Sequence, residues 1–385
     1  MRRFLCLALL LAAAPLAAQE ANPWRVSDFP YLMGDPTNGL LIIGHIQLAR
    51  EADYDAKAPY DGFFGADAGW GTRSSRFITG KVRIPNIIKG WRFAADAGAV
   101  REGRFGYYGL GPDGEGSLTA PGDERDFFRV HRTRYSGRIE VTRNLTKRLA
   151  FSVAGGVAYY RFSSFQSADA FAMDFGGADL SGTDATGRLT VLFDSRDREL
   201  APTKGALLEA GLYVGSGKFE TRAGGTPSVS SGGYTGEYLH LRGWFSPRNG
   251  TTLAGRLALR ALGNNAPLDA RYLLPGWERE TTVYGGADSQ RGLIKGRLVG
   301  RGVLFSSFEI RHTLIDIGDY GAVTLLAFLD AGRVFQNAPS LTLSKWRTAG
   351  GGGIVIRIVR SALLTFNFAK GPDGFTFSMG NGWAF

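Results

Sequence analysis

The chain has 385 residues, with 45 Lys and Arg against 35 Asp and Glu, and its formal net charge of +10 is spread along its length. Because the basic residues form no cluster of the kind that binds nucleic acid, this charge indicates attraction to anionic lipid headgroups, and we expect no nucleic-acid partner. The only cysteine, Cys6, excludes an internal disulfide and a metal site built from several thiolates.

The first 18 residues have the pattern of a secretory signal peptide. Arg2 and Arg3 precede an apolar run that ends at Leu16, and two alanines follow it. The alternative is a membrane anchor, but a helix needs about 20 apolar residues to cross a bilayer and this run is shorter. We therefore expect residues 1–18 to be cleaved on export.

Residues 19–38 follow as a Pro-rich stretch without regular periodicity. We expect a short irregular periplasmic segment here, because about 20 residues are too few for a separate domain. The first strand is predicted to begin at Gly39 with "GLLIIGHIQLA". Residues 39–385 are then predicted to form one unit.

From Gly39 onward, many segments of about ten residues alternate apolar and polar side chains. They break at Gly, Asn, Asp or Pro, and the chain contains 55 glycines and 12% aromatic residues. Lipid-facing and lumen-facing side chains alternate in this way along the strands of a membrane barrel. A soluble sandwich or a lipocalin-like barrel is the alternative, and the export signal argues against it.

The predicted strands number about 16, and their connections alternate between short and long. A fifth strand is predicted through residues 104–108, tight turns at Asn144, Pro202 and Pro247, and a long sixth loop over residues 263–302. An even number of strands places both chain ends in the periplasm, so the tight turns are periplasmic and the long loops extracellular. The predicted fold class is an all-β, transmembrane, antiparallel β-barrel.

Two motifs flank the middle of the chain. "RFGYYGLGP", residues 104–112, has an aromatic pair followed by Gly-x-Gly, and "FDSRDRELAPTKG", residues 193–205, joins two predicted strands. The notable residues of the second motif are Asp194, Arg196, Asp197, Pro202 and Gly205. Pro202 presets one backbone angle and Gly205 frees another, so a sharp reversal is a sufficient structural account of that motif.

A third motif lies in the sixth loop and on the two strands after it. The loop carries "SQRGLIKGRLVGRG", the next strand "FEIRH" and the following one "FLDAG". Ser307, Glu309 and Arg311 share one face of their strand, while Phe308 and Ile310 share the other. Because a carboxylate that faces lipid is costly, Glu309 is predicted to face the lumen.

The fourth motif is the final strand. Its aromatic and apolar residues fall on one face, predicted to contact lipid, and small or polar residues fall on the other. The apolar face consists of Phe375, Phe377, Met379, Trp383 and Phe385.

Taken in this order, the four motifs resemble the bacterial surface antigen family, the outer-membrane assembly and transport barrels of the BamA and TamA type. The resemblance implies that the sixth loop folds into the barrel as a plug. There, Arg291 of the Arg291–Gly292 pair would meet Glu309 and Asp330. A planar guanidinium can bridge two carboxylates, and a glycine allows the backbone to turn tightly beside it.

The resemblance also implies roles for the two ends of the barrel. Ser378, Gly380, Trp383 and Phe385 match the pattern by which the cell's own barrel-assembly machinery reads a new barrel. A lateral seam is expected where the first strand, near residues 39–49, meets the last.

By resemblance, the chain is expected to be a monomeric barrel in the lipids of the bacterial outer membrane. It would assist insertion or translocation of proteins, or of lipids, through the seam. Family members carry periplasmic POTRA modules that this sequence leaves no room for, so we expect unfolded protein clients or a separate periplasmic accessory protein as partners.

The alternative function is a passive channel for small solutes, with selectivity set by lumen charge. Catalysis is not expected, because the four histidines lie in no Ser/His/Asp group or metal-ligand spacing. We accordingly predict no catalytic residue, no metal and no cofactor.

Overall fold

The computed structural model describes residues 22–53, 56–111, 119–120, 126–223, 226–278, 282–336, 344–358 and 362–385. The predicted signal peptide, residues 1–18, lies outside these ranges.

Sixteen strands form a closed barrel in which every strand is antiparallel to its neighbours. They are β1 (Arg25–Asp35), β2 (Gly39–Glu51), β3 (Tyr60–Gly71), β4 (Arg76–Ile88), β5 (Trp91–Gly106), β6 (Arg129–Asn144), β7 (Leu149–Ser164), β8 (Leu180–Asp194), β9 (Gly205–Ala223), β10 (Thr226–Arg248), β11 (Thr251–Leu262), β14 (Gly302–Asp316), β15 (Gly321–Phe335), β16 (Arg347–Ile358), β17 (Ala362–Gly371) and β18 (Gly374–Asn381).

The remaining elements are short. Two helices, α1 (Ala170–Phe175) and α2 (Leu268–Arg271), lie in loops, and β12 (Leu273–Leu274) pairs with β13 (Thr282–Val283) as a separate ribbon between β11 and β14. Neither of these described helices is long and apolar enough to cross a membrane.

Side chains alternate between the outside and the lumen along each strand. On β7, Phe151, Val153 and Val157 are exposed on the outside, whereas Ser152 and Tyr160 are fully buried. A membrane barrel requires this pattern, because apolar side chains are stable in contact with lipid and polar side chains find hydrogen-bond partners in the lumen. The predicted fold class, an antiparallel barrel of 16 strands, is confirmed.

The predicted start of the barrel is wrong. Residues 25–35, expected to belong to an irregular segment, form β1, so the barrel begins at Arg25 and not at Gly39. Pro30 hides this strand in the sequence, since proline cannot donate a ladder hydrogen bond and is normally confined to edge strands. The strand tolerates Pro30 because it is nearly an edge.

The junction of β1 with β18 is the least paired part of the ladder. All eleven residues of β1 pair with β2, but among the described residues β1 pairs with β18 only at Gly34 opposite Met379. On its other side, β18 pairs with β17 at eight positions. The barrel is therefore closed at this junction by a single register position.

The separate fifth strand predicted through residues 104–108 is also wrong. Residues 104–106 are the end of β5, which is 16 residues long and has a register irregularity between Glu102 and Phe105. That irregularity breaks the alternation and makes one long strand read as two. The missed β1 and this extra strand cancel, which is why the predicted number of strands is right.

The connections divide between the two ends of the barrel. Because the strands alternate in direction, the connections 145–148, 195–204 and 249–250 lie at the end where β1 begins and β18 ends, which we call the terminus end. The connection from β11 to β14, residues 263–301, lies at the opposite end, and we call it the β11–β14 loop.

We predict that Val157→Arg lowers the free energy of unfolding by about 2–4 kcal/mol in lipid vesicles, because it places a charge on the outward face in the middle of β7. Val157→Leu at the same position should change it by less than about 0.5 kcal/mol. Urea titration of the reconstituted barrel measures both values. Equal stability of the two variants would contradict contact of this face with hydrocarbon.

Candidate functional site

Arg291 of the β11–β14 loop binds two carboxylates on neighbouring strands. Its Nη1 donates to Glu309 Oε1 at 2.6 Å, and its Nε and Nη2 donate to Asp330 at 2.9 and 2.8 Å. The backbone N–H of Arg291 also donates to Asp330, at 2.9 Å, and the guanidinium lies 3.6 Å from the ring centre of Phe328. Arg291 is 2% exposed, and both carboxylates are fully buried.

The strand register explains why these groups meet. β14 and β15 are adjacent, with Ser307 opposite Asp330 and Glu309 opposite Phe328, and all four side chains are on the lumen face. The two inward carboxylates therefore lie side by side, at a spacing that one guanidinium can bridge. Removing one partner of a buried ion pair typically costs about 3–5 kcal/mol, because the other charge is left uncompensated.

Gly292 follows with a backbone angle φ of +83°. A Cβ atom added to it would lie 2.7 Å from the Cβ of Ala349 and 3.2 Å from the Cα of Gly371. The chain next to Arg291 thus touches β16 and β17, and only glycine fits. Arg291, Gly292, Glu309 and Asp330, the four residues singled out in the sequence, lie together in the structure.

The neighbours of the Arg-Gly pair are buried as well. Gln290 is fully buried and accepts a hydrogen bond from the hydroxyl of Tyr284, and Leu293 packs in an apolar cluster with Val303 and Phe305. This part of the loop is consequently packed on both sides of the ion pairs.

Sequence reasoning missed a second fastening point of the same loop. The backbone N–H of Trp277 donates to Glu209 at 2.6 Å, and its indole N–H donates to Thr142 at 3.0 Å. Glu278 accepts hydrogen bonds from Arg92 at 2.9 and 3.2 Å, and its N–H donates to Glu140. A usable signal was present, because Glu140 and Glu209 are inward carboxylates like Glu309.

The two fastening points lie on different walls. Arg291 is bound by β14 and β15, whereas Trp277 and Glu278 are bound by β5, β6 and β9. On the shorter path around the barrel, five strands separate β14 from β6. The contacts of the β11–β14 loop therefore connect distant walls of the lumen.

The first motif, "RFGYYGLGP", contacts the far part of the same loop. The N–H of Gly106 donates to the carbonyl oxygen of Lys295 at 3.1 Å, and the guanidinium of Arg297 lies 4.0 Å from the ring centre of Tyr108. Tyr107 donates to Asp174 at 2.6 Å, at the end of α1. The last residue of this motif, Pro112, lies outside the described residues.

In the "FDSRDRELAPTKG" motif, the acidic residues organise the turn. Asp194 pairs with Arg196 at 2.8 Å, and Asp197 accepts from the hydroxyl of Thr203 at 2.6 Å and from backbone N–H groups of the turn. Burial opposes charge on Asp197, but these hydrogen bonds lower the pKa of its carboxyl below the usual range. Pro202 is buried.

The turn is also linked to the loop. Gly205 adopts φ of +99°, which closes the reversal. Glu199 accepts two hydrogen bonds from Arg92, at 2.6 and 3.0 Å, and Arg92 is the residue that also holds Glu278. One arginine therefore joins the turn at the terminus end to the β11–β14 loop.

The predicted lipid-facing position of the last aromatic residues is wrong. Phe375 is 70% exposed on the outside of β18, but Phe385 is only 6% exposed and its ring packs beside Trp244 of β10. The strand ends at Asn381, and Gly382 adopts φ of +96°, which breaks the two-residue alternation. The last residues therefore turn into the lumen. Ser378 is inward and buried, as the alternation requires, and Gly380 lies on the same strand.

Across the described ranges, no group of three or more His, Cys, Asp or Glu residues could hold a metal ion. Two of the histidines form hydrogen bonds across neighbouring strands, His45 with Asp67 at 2.8 Å and His312 with Thr251 at 2.8 Å. The site is thus an arrangement of buried arginines and carboxylates that holds chain segments together.

Three comparisons place this geometry among known proteins. The Omp85 superfamily domain matches residues 90–383, while a sequence comparison with curated proteins gives no match. BamA from Haemophilus ducreyi, lacking POTRA domains 1–3, is similar in structure with a TM-score of 0.55 at 13% identity, over 94% of this chain and 70% of that one. CdiB from Escherichia coli gives 0.56 at 11% identity, over 94% of this chain and 63% of that one. At such identities the likeness concerns the fold.

We predict that Arg291→Met lowers the free energy of unfolding by about 3–5 kcal/mol, because it leaves Asp330 buried without its cation and Glu309 with Arg311 as its remaining cation. The matched control is Arg161→Met, which breaks an exposed pair with Asp179 and should cost about 0–1 kcal/mol. Urea titration in detergent micelles measures both. Adding Asp330→Asn to Arg291→Met should restore part of the loss, and a further loss would contradict this account.

We predict that Gly292→Ala is destabilising by more than about 1 kcal/mol, since alanine is strained at a positive φ and its methyl group meets Ala349. Gly155→Ala is the control, because an added Cβ at Gly155 meets nothing within 4 Å. Thermal unfolding of both variants provides the comparison. If the two behaved alike, the close approach of the loop to β16 would be refuted.

Proposed function

The chain belongs to the Omp85 superfamily, and from that membership we propose that it is an outer-membrane barrel that assists insertion or translocation of proteins, or of lipids, through a lateral seam between β1 and β18. The observation that carries the proposal is the single register position, Gly34 opposite Met379, that joins these two strands. We assign the proposed seam to β1, residues 25–35, because this strand adjoins β18, whereas the sequence suggested residues 39–49.

Strand addition is the physical basis of the mechanism. A strand without a full partner presents unpaired N–H and C=O groups, which form a template for another extended chain. Both strands of the seam lack a partner over most of their length on the side where they meet. A client strand that pairs there exchanges few existing hydrogen bonds for many new ones, so entry at the seam is favoured over entry between any other two strands.

The β11–β14 loop has a complementary role in this mechanism. Its ion pairs at Arg291 and Glu278 hold it across the lumen, so the direct path through the barrel is obstructed. A large cargo therefore leaves sideways through the seam. The partners that we propose are outer-membrane lipids, unfolded protein clients and a periplasmic accessory protein that delivers them, with the barrel acting as a monomer.

Passage of small solutes is the second candidate function. A cavity of about 860 Å³ lies at the terminus end, with Lys204, Arg248 and Arg357 among its lining residues. Cationic walls attract anionic solutes. Because the fastened loop lies beyond this cavity, conduction requires release of Arg291, and we rank this function second.

The proposed function is tested by locking the seam. We expect liposomes that contain the barrel to accelerate folding of an unfolded client barrel relative to empty liposomes. A disulfide between Gly34→Cys and Met379→Cys should abolish the acceleration, and a reductant should restore it. The control disulfide joins Gly44→Cys and Ala68→Cys, which face each other on the fully paired strands β2 and β3.

Two results would contradict the proposal. If the barrel is folded but does not accelerate folding of the client, unaided insertion is excluded. If both disulfides inhibit the acceleration equally, the seam is excluded as the route. Ion conductance without client insertion, increased by Arg291→Met, would favour the solute channel.

A further inference from the structure

The segment after β18 is held inside the barrel. At Gly382 the chain leaves the strand, and this turning point is fixed to β17 by two hydrogen bonds: the N–H of Gly382 donates to the carbonyl of Leu363 at 2.9 Å, and the hydroxyl of Thr365 donates to the carbonyl of Gly382 at 2.6 Å. Beyond it, Phe385 packs in an apolar cluster that includes Trp244 and Trp277. The residues after β18 thus have a defined position in the lumen.

Arg256 on β11 binds this segment and the β11–β14 loop at the same time. Its Nη1 donates to the carbonyl oxygens of Asp288 at 3.0 Å and Ala384 at 2.9 Å. Its Nη2 donates to the carbonyl of Ser289 at 3.1 Å and to the hydroxyl of Ser307 at 3.2 Å. A single guanidinium, 9% exposed, therefore connects two parts of the chain that are nearly one hundred residues apart.

Arg311 on β14 makes a second, independent connection. Its Nε and Nη2 donate to Glu309 at 2.8 and 2.6 Å, and Nη2 also donates to the carbonyl oxygen of Phe385 at 3.2 Å. Its guanidinium lies 4.0 Å from the ring centre of Trp383. Because the other oxygen of Glu309 accepts from Arg291, a continuous chain of charged contacts runs from the loop to the segment after β18.

We propose that Arg256 and Arg311 form a lumenal docking site for Trp383–Phe385 and that they couple this docking to the seating of the loop tip, residues 288–291. The coupling arises because Arg256 has acceptors on both segments, whereas Arg311 links Phe385 to Glu309, the carboxylate that also binds Arg291 of the loop tip. When one segment leaves, buried N–H groups lose their partners, which is costly, and the arginine reorients toward new ones. The acceptors on the other segment are then lost as well.

The consequence concerns β18, which β1 holds at a single position. The docked segment anchors the end of β18 in the lumen, so displacement of this strand at the terminus end loosens the loop tip, and release of the loop loosens the strand. This coupling is a property of the folded barrel and does not rest on the proposed function.

The test measures opening of the loop tip with a buried thiol. Ser289 is fully buried, so Ser289→Cys, in a full chain that also carries Cys6→Ser, reacts with a maleimide only when the tip opens. In detergent micelles we expect Phe385→Ala to increase the labelling rate at least fivefold, within the range usual for coupled sites. The matched control is Phe375→Ala, which truncates an outward ring of the same strand and should leave the rate unchanged.

A second thiol separates coupling from general loosening. Ala170→Cys is fully buried in a separate apolar cluster with Phe105 and Phe171, and Phe385→Ala should leave its labelling rate unchanged. Since coupling is reciprocal, Arg291→Met should increase labelling of Ala384→Cys by a similar factor.

Either of two results would overturn the proposal: an unchanged rate at Ser289→Cys, or an equal increase at Ser289→Cys and Ala170→Cys. Where Phe385→Ala fails to fold, Arg256→Lys replaces it. That variant retains the charge but cannot make the same four hydrogen bonds, and it should increase labelling at both Ser289→Cys and Ala384→Cys.

Discussion

The pairing of Arg291 with Glu309 and Asp330 is the interaction on which the arrangement of the lumen depends. A charge inside a barrel has little water around it, so it persists only with a partner of opposite charge and full hydrogen bonding. Strand alternation presents the two carboxylates inward on neighbouring strands, and the loop supplies the cation. The cation of the loop and the carboxylates of the barrel wall therefore compensate each other's charge.

The same requirement recurs on the opposite wall, where Glu278 of the loop meets Arg92. Two fastening points fix a loop far better than one, because release then requires both sets of contacts to open together. Arg92 also binds Glu199 in the turn at the terminus end, so the polar interior forms a connected set of contacts between the two ends of the barrel.

In contrast to the interior, which many ion pairs connect, the barrel wall is sparsely paired at the junction of β1 with β18. Within the described residues, fifteen of the sixteen strand junctions have extensive ladders, and the junction of β1 with β18 has a single paired position. The ion pairs of the lumen and this sparsely paired junction therefore belong to the same barrel. The contacts of Arg256 with Ala384 and of Arg311 with Phe385 link the two features, since they connect the residues after β18 to the ion pairs.

The sequence by itself determined the fold class, because a period of two between lipid and lumen runs along most of the strands, and its resemblance to a known family singled out Arg291, Glu309 and Asp330. The predicted number of strands is right only because the missed β1 and the extra strand at residues 104–108 cancel. The sequence misplaced the first strand at Pro30 and the side of Phe385 at Gly382, where a proline and a left-handed glycine break the period. Only the tertiary structure decided that Trp277 and Glu278 meet β5, β6 and β9, and that Arg256 binds two distant segments. Such contacts depend on barrel closure, which brings together residues whose spacing along the chain carries no periodic signal.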